Sequence, residues 1–132
     1  MDIVGIKLLV YKTLHFVGIF AVFVSLGGIA SHLAKGGTKE DFPLRKMAAI
    51  THGIGMFLIL LGGFGMLAVL GLKALQLWVG LKFGFWLIFG GATGLLYKMP
   101  GKARALWIFF IILGGITAFV ATSRPFFFSP AG

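Results

Sequence analysis

The chain reads as an all-α integral membrane protein, a four-helix up-down-up-down bundle, and three features of the sequence predict it. The first is composition: 59% of the 132 residues are hydrophobic and 11% charged, with a mean hydropathy of +1.05, where a soluble domain carries about 25% charged residues. That leaves too little polar surface to cover a globule in water, so the apolar excess must face lipid. The second is the division of the chain into four charge-poor runs: Thr13 to Ala34, Met47 to Leu72, Ala74 to Tyr97 broken only by Lys82, and Ala105 to Ser123. Each matches the roughly 20 residues that cross a hydrocarbon core about 30 Å thick. The third is that the connections are short, which makes successive helices antiparallel neighbours. No run alternates apolar with polar at period two, as a membrane barrel requires.

The spans are expected at about 8–34, 44–71, 75–97 and 103–123, in one transmembrane domain covering residues 1–132. Lys7 and Lys12 precede the first apolar region as in a signal peptide. That region is longer than the usual h-region of about 7 to 15 residues and has no small-x-small cleavage site, so it is read as a mature helix. Lys35-Gly36-Gly37 supplies a glycine stop. The second helix is expected to start on Asp41 as N-cap, with Pro43 in its first turn. Gly71-Leu72-Lys73 reads as a tight turn, Lys98-Met99-Pro100-Gly101-Lys102 as a Pro-Gly turn, and Arg124-Pro125 as the end of the fourth span before Phe126-Phe127-Phe128.

The net charge of +9 arises from 12 Lys and Arg against Asp2, Glu40 and Asp41. The cations stand at the ends of apolar runs and form no single patch, so nucleic acid is not an expected partner. Lys35, Lys39, Arg45, Lys46, Lys98, Lys102 and Arg104 flank the first and third loops, against Lys7, Lys12, Lys73, Lys82 and Arg124 on the opposite face. This excess predicts cytoplasmic first and third loops and both termini outside. No acid lies within an apolar run, which removes a carboxylate proton relay and leaves little to coordinate a transported ion. With no cysteine, disulfides, thiolate metal sites and iron–sulfur clusters are excluded.

Every span contains a Gly-Gly pair: Gly27-Gly28, Gly62-Gly63, Gly90-Gly91 and Gly114-Gly115. Small residues let helix backbones approach closely in lipid, and bare backbone also makes room for a flat cofactor. Trp78 and Trp107, near span ends, read as interface anchors, and the deeper Trp86 as a packing residue. The residues that cost most to place in a membrane are His15, His32, His52 and Lys82, and an intramembrane ionisable group is a functional candidate by default. Lys82 alternatively snorkels to the headgroups, and His32 sits at the interface. His15 and Lys82 each stand about seven residues into their spans, on helices expected to run the same way, and could share one site. His52 enters from the other face, roughly 18 Å from the depth of His15 at about 1.5 Å per residue. One haem therefore cannot take both as ligands within a single chain. His15 and His52 remain the candidate metal ligands, and His15, Lys82 and His52 the candidate cofactor contacts. For each imidazole the alternative is a hydrogen bond to a backbone carbonyl or hydroxyl across the helix interface.

Lys12-Thr13-Leu14-His15, Arg45-Lys46-Met47, Gly63-Phe64-Gly65-Met66-Leu67, Trp78-Val79-Gly80-Leu81-Lys82 and Arg124-Pro125-Phe126 together resemble the small four-helix bacterial protoporphyrinogen oxidase family and its copper-resistance-D-like relatives. The resemblance implies a bacterial cytoplasmic (inner) membrane protein with a bound haem b held through His15, a functional Lys82, and quinone-coupled chemistry. The chain departs from the family pattern at Ala30-Ser31-His32-Leu33-Ala34, at Gly90-Gly91-Ala92 and at Lys98-Met99-Pro100-Gly101, where family polar groups are missing. The expectation is thus a redox-associated membrane bundle with a haem b or quinone pocket near His15 and Lys82. The alternative is an accessory subunit that packs on partner helices of a larger complex, or on copies of itself, and needs no cofactor.

Overall fold

The computed structural model describes residues 2–72 and 77–123. It is all-helical: α1 Ile3–Ala34, α2 Arg45–Leu70, α3 Leu77–Lys98 and α4 Ala103–Thr122, with a single 3-10 turn, Pro100–Lys102, leading into α4. All four helices are long and apolar enough to cross a membrane. The expected features at Lys73, Arg124, Pro125 and Phe126 to Phe128 lie outside the described residues.

Local chemistry explains the boundaries. α1 starts at Ile3, five residues before the expected position, because Asp2 Oδ1 accepts the Gly5 N–H at 2.8 Å and caps the helix there. Its end is closed by Gly36 at φ 89°, with Gly37 N–H returning to the His32 carbonyl at 3.1 Å. α2 ends in the same way: Gly71 adopts φ 67° and Leu72 N–H reaches the Leu67 carbonyl at 3.0 Å. A left-handed residue at this place favours glycine, which has no Cβ to clash.

The expected start of α2 needs correction. Asp41 does not cap it; Leu44 occupies the cap position without a side-chain bond. The Asp41 carboxylate instead accepts the Thr38 N–H at 2.7 Å, while Thr38 Oγ1 accepts the Asp41 N–H at 3.3 Å. This is a reciprocal capping box closing one isolated turn, and with Asp41 so engaged the cap of α2 falls three residues later, on Leu44.

α1 is the central helix and touches the other three. Its closest neighbour is α2, where the two backbones meet. A Cβ built on Gly18 would stand 2.6 Å from the Gly55 carbonyl oxygen, and one on Gly55 would stand 2.8 Å from that of Gly18. One on Gly62 would stand 2.6 Å from His15 Cβ, and one on Gly65 would run into the Tyr11 ring. The other interfaces are spaced by bulky side chains. Val22, Leu26, Ile29 and Leu33 of α1 pack with Met56, Phe89, Leu96, Phe110 and Leu113 of the other helices. Phe89 meets Phe23 edge-on, with ring centroids 5.3 Å apart. A smaller cluster of Leu67, Trp78 and Val79 lies apart from this core. Trp78 is therefore buried rather than an exposed interface anchor, whereas Trp107 is 46% exposed.

The Gly-Gly pairs divide their labour. Gly62, Gly90 and Gly114 meet a neighbouring side chain or backbone, while Gly28, Gly91 and Gly115 have nothing within 4 Å of a built Cβ. Gly27 and Gly63 make only ordinary contacts, at 3.9 Å with the Trp107 ring and at 3.7 Å with the His15 ring.

At most 33% of the most apolar stretch of any helix is buried. Large side chains such as Phe20, Val24, Phe57, Leu77 and Phe119 stand exposed around the bundle. Polar groups, by contrast, are satisfied internally. Ser25 and Thr117 hydroxyls donate to the Val22 and Leu113 carbonyls at 2.8 Å, and among the described residues no buried side-chain nitrogen or oxygen lacks a partner. A helix surrounded by hydrocarbon needs that arrangement.

Candidate functional site

His15 lies on the α1 face that meets α2, half-buried beside the Gly62-Gly63 pair. Its Nδ1 is 2.8 Å from the Ile59 carbonyl oxygen of α2. A carbonyl only accepts, so Nδ1 carries a proton and donates it. In the neutral ring Nε2 is then the acceptor, and no described residue hydrogen-bonds it. The sequence-predicted pairing partner, Lys82, lies close enough for its charge to act on this imidazole. Its Nζ also lies 5.8 Å from the centroid of the Trp78 ring, one turn earlier on α3, within the range of cation–π attraction.

His52 is elsewhere. It is 6% exposed, and its Nε2 donates to the Phe89 carbonyl of α3 at 3.0 Å. The reverse bond lies one turn away, where Trp86 Nε1–H donates to the Met56 carbonyl of α2 at 3.0 Å. Two side chains thus cross the α2–α3 interface in opposite directions, each ending on a carbonyl of the other helix. This matches the packing alternative considered for the imidazoles from sequence. Among the described residues no three of His, Asp and Glu converge as a metal-ligand group.

A third polar cluster, not foreseen as a unit, closes the first loop. His32 Nε2 lies 2.7 Å from Asp41 Oδ1 and 3.0 Å from the Thr38 carbonyl, and its ring stacks on Phe42 at 4.6 Å. Gly37 packs directly under the imidazole, where a Cβ would collide with it. The Thr38-Lys39-Glu40-Asp41 spacing carries the capping-box signal. The partnership with His32, nine residues from Asp41, could not be read without the fold.

The Thr38 N–H, and after it the His32 ring, hold the Asp41 carboxyl below the usual carboxylate range. A depressed carboxylate pKa means that this loop structure is fully stabilised above the ordinary value and loses that stabilisation as pH falls through the depressed one. The expected result is a loss of amide protection at Gly37 and Thr38, measured against the intrinsic exchange rate at each pH, as pH falls below that range. In Asp41→Asn, protection of the two amides should already be lower at neutral pH and should lose most of its acid dependence. Hydrogen exchange of the detergent-solubilised protein measures both.

Two clefts lie among the described residues. One, of about 300 Å³, is an apolar groove between α1 and α4 lined by residues including Phe23, Gly27, Trp107 and Ile111. The other, of about 280 Å³, lies where the first loop meets the end of α3, lined by Leu33, Thr38, Lys39, Glu40, Tyr97 and Pro100.

The fold and these sites define a class, small helical bundles with the length and apolarity to span a membrane. Comparison with protein-family models, with curated proteins and with solved structures finds no match to this chain.

Proposed function

We propose that the chain is a multi-pass protein of the bacterial cytoplasmic membrane, redox-associated, with a quinone-headgroup pocket at His15 and Lys82. The register of contacts supports the up-down-up-down path. Along α1 from His15 through Gly18, the partners on α2 run backwards from Gly62 to Gly55. From Phe23 to Gly27 the partners on α4 run backwards from Gly114 to Trp107. The cation excess at the first and third loops favours that end in the cytoplasm.

The observation that carries the site is the half-buried His15 imidazole, oriented through Nδ1 by the Ile59 carbonyl with its Nε2 left as an acceptor, and Lys82 is near enough for its charge to reach the ring. A quinol hydroxyl needs an acceptor, which His15 Nε2 supplies. A quinone oxygen needs a donor, which the Lys82 amine supplies. For haem b the residues offer one axial imidazole, held through Nδ1 as metal-bound histidines commonly are. His52 cannot join it, because its Nε2 is committed to Phe89 in another part of the bundle. Gly65 against Tyr11 and Gly55 against Gly18 close the α1–α2 seam on either side of His15 to a macrocycle, so a small headgroup approaching from outside that seam fits better.

The test is titration of the purified protein with a short-chain ubiquinone analogue, read by tryptophan fluorescence, beside a visible absorption spectrum. Saturable quenching weakened about tenfold by His15→Ala or Lys82→Met, a loss of about 1.4 kcal/mol, supports the pocket. A Soret band that disappears in His15→Ala moves the reading to haem b. Neither signal would leave no cofactor role for His15.

A second reading, an accessory subunit or self-associating bundle, is favoured by one feature. Gly80, Gly84, Gly91 and Gly94 line the face of α3 opposite its buried Phe89 and Leu96, with nothing within 4 Å of a built Cβ. Such a face suits close helix approach in lipid. Native mass measurement in mild detergent showing free monomer alone would count against this reading.

A further inference from the structure

We propose that the 280 Å³ cavity between the first loop and the end of α3 binds a phosphodiester, that of an anionic phospholipid headgroup. The inference rests on the membrane reading above, which places this end of the bundle at the headgroup layer.

The cavity is lined by both apolar and polar residues. Leu33 and Pro100 supply the apolar lining, and Thr38, Lys39, Glu40 and Tyr97 the polar lining. Lys39 is held in place, its Nζ 5.3 Å from the Tyr97 ring centroid. The Thr38 hydroxyl accepts from the Asp41 N–H, which leaves its own O–H to donate. The Tyr97 phenol has no hydrogen-bond partner among the described residues, and Arg45 lies within electrostatic reach of it. An ammonium and two hydroxyls form a donor set for an anion whose oxygens only accept, and the Arg45 guanidinium adds positive charge nearby.

Charge around the cavity agrees. Seven of the 12 Lys and Arg stand at the first and third loops. Of the two acids there, Asp41 is already engaged by His32 and Thr38. Glu40 is the one carboxylate in the lining, and it opposes an anion. At about 280 Å³ the cavity falls just below the range of roughly 300–1,000 Å³ typical of drug-sized ligands. It suits a headgroup, not a whole cofactor. A phospholipid also explains why polar and apolar lining meet at the ends of two long apolar helices.

The experiment reconstitutes the full chain into phosphatidylcholine vesicles with and without phosphatidylglycerol, confirms insertion by flotation after alkaline wash, and counts retained lipids by native mass spectrometry. Preferential retention of phosphatidylglycerol is expected, weakened about fivefold by Lys39→Gln and again by Arg45→Gln, as for one cation at an anionic surface. Glu40→Gln should strengthen retention, a gain that misfolding cannot mimic. Equal retention of both lipids by wild type and variants overturns the inference while leaving the membrane reading intact. Competition by soluble glycerol phosphate with no lipid preference would assign the site to a free phosphate and overturn the headgroup assignment. Failure to float with either vesicle sinks both readings.

Discussion

Gly18→Ala is expected to destabilise the bundle by about 3 kcal/mol or more, at the upper end of overpacking costs. The added methyl carbon would stand 2.6 Å from the Gly55 carbonyl oxygen and 2.8 Å from the Ile59 backbone nitrogen. Backbone cannot rotate away as a side-chain end can, so α1 and α2 must separate along their whole contact. Separation also lengthens the His15–Ile59 hydrogen bond four residues along α2 from Gly55, so the same substitution should weaken any ligand at His15. Gly55→Ala should behave alike, because its Cβ would meet the Gly18 carbonyl oxygen at 2.8 Å. Gly91→Ala makes the identical chemical change where nothing lies within 4 Å. It should be neutral, or stabilising by up to about 1 kcal/mol through helix propensity. Denaturation in mild detergent followed by circular dichroism measures all three, and equal effects at Gly18 and Gly91 would contradict a backbone-to-backbone seam.

His52→Ala should cost about 2–4 kcal/mol and Trp86→Phe about 1 kcal/mol. The difference follows from what each removes. Trp86→Phe takes away one N–H donor while keeping a ring to stack on Phe83, now 5.5 Å away, and interhelical hydrogen bonds in membranes average about 0.6 kcal/mol with a maximum near 1.7. His52→Ala removes such a bond and also empties the space of a side chain that is 6% exposed, adding a cavity cost. The two bonds join the same pair of helices one turn apart, so the double variant should lose less than the sum of the singles, with a coupling of at least about 0.5 kcal/mol. Strict additivity would mean that the two crossings act independently. A His52→Ala protein as stable as wild type would reopen His52 as a ligand.

The four helices were legible because hydrocarbon imposes a simple rule on composition. About 20 residues without charge must follow one another, and runs such as Met47 to Leu72 announce themselves. Turn chemistry was legible where one residue type is required, as at Gly36 and Gly71, whose positive φ falls where a glycine stop and a tight turn were read. It failed at Asp41, a residue suited equally to capping a helix and to closing an isolated turn. His32 decided between those uses, and its position beside the loop is a product of the α1 end geometry.

By itself the chain determined which residues are costly in lipid: His15, His52 and Lys82 stand out from their apolar neighbours whatever the packing. Only the tertiary structure decided what each of them meets. His15 donates to Ile59, His52 to Phe89, and Lys82 lies over Trp78. It also decided which glycines matter, setting Gly18 against Gly55 and leaving Gly91 open. The reason is that helices apolar on every side carry no amphipathic stripe to mark the inward face. In lipid the facing surface is selected by close fit between two helices, a property of the pair that neither sequence segment contains alone.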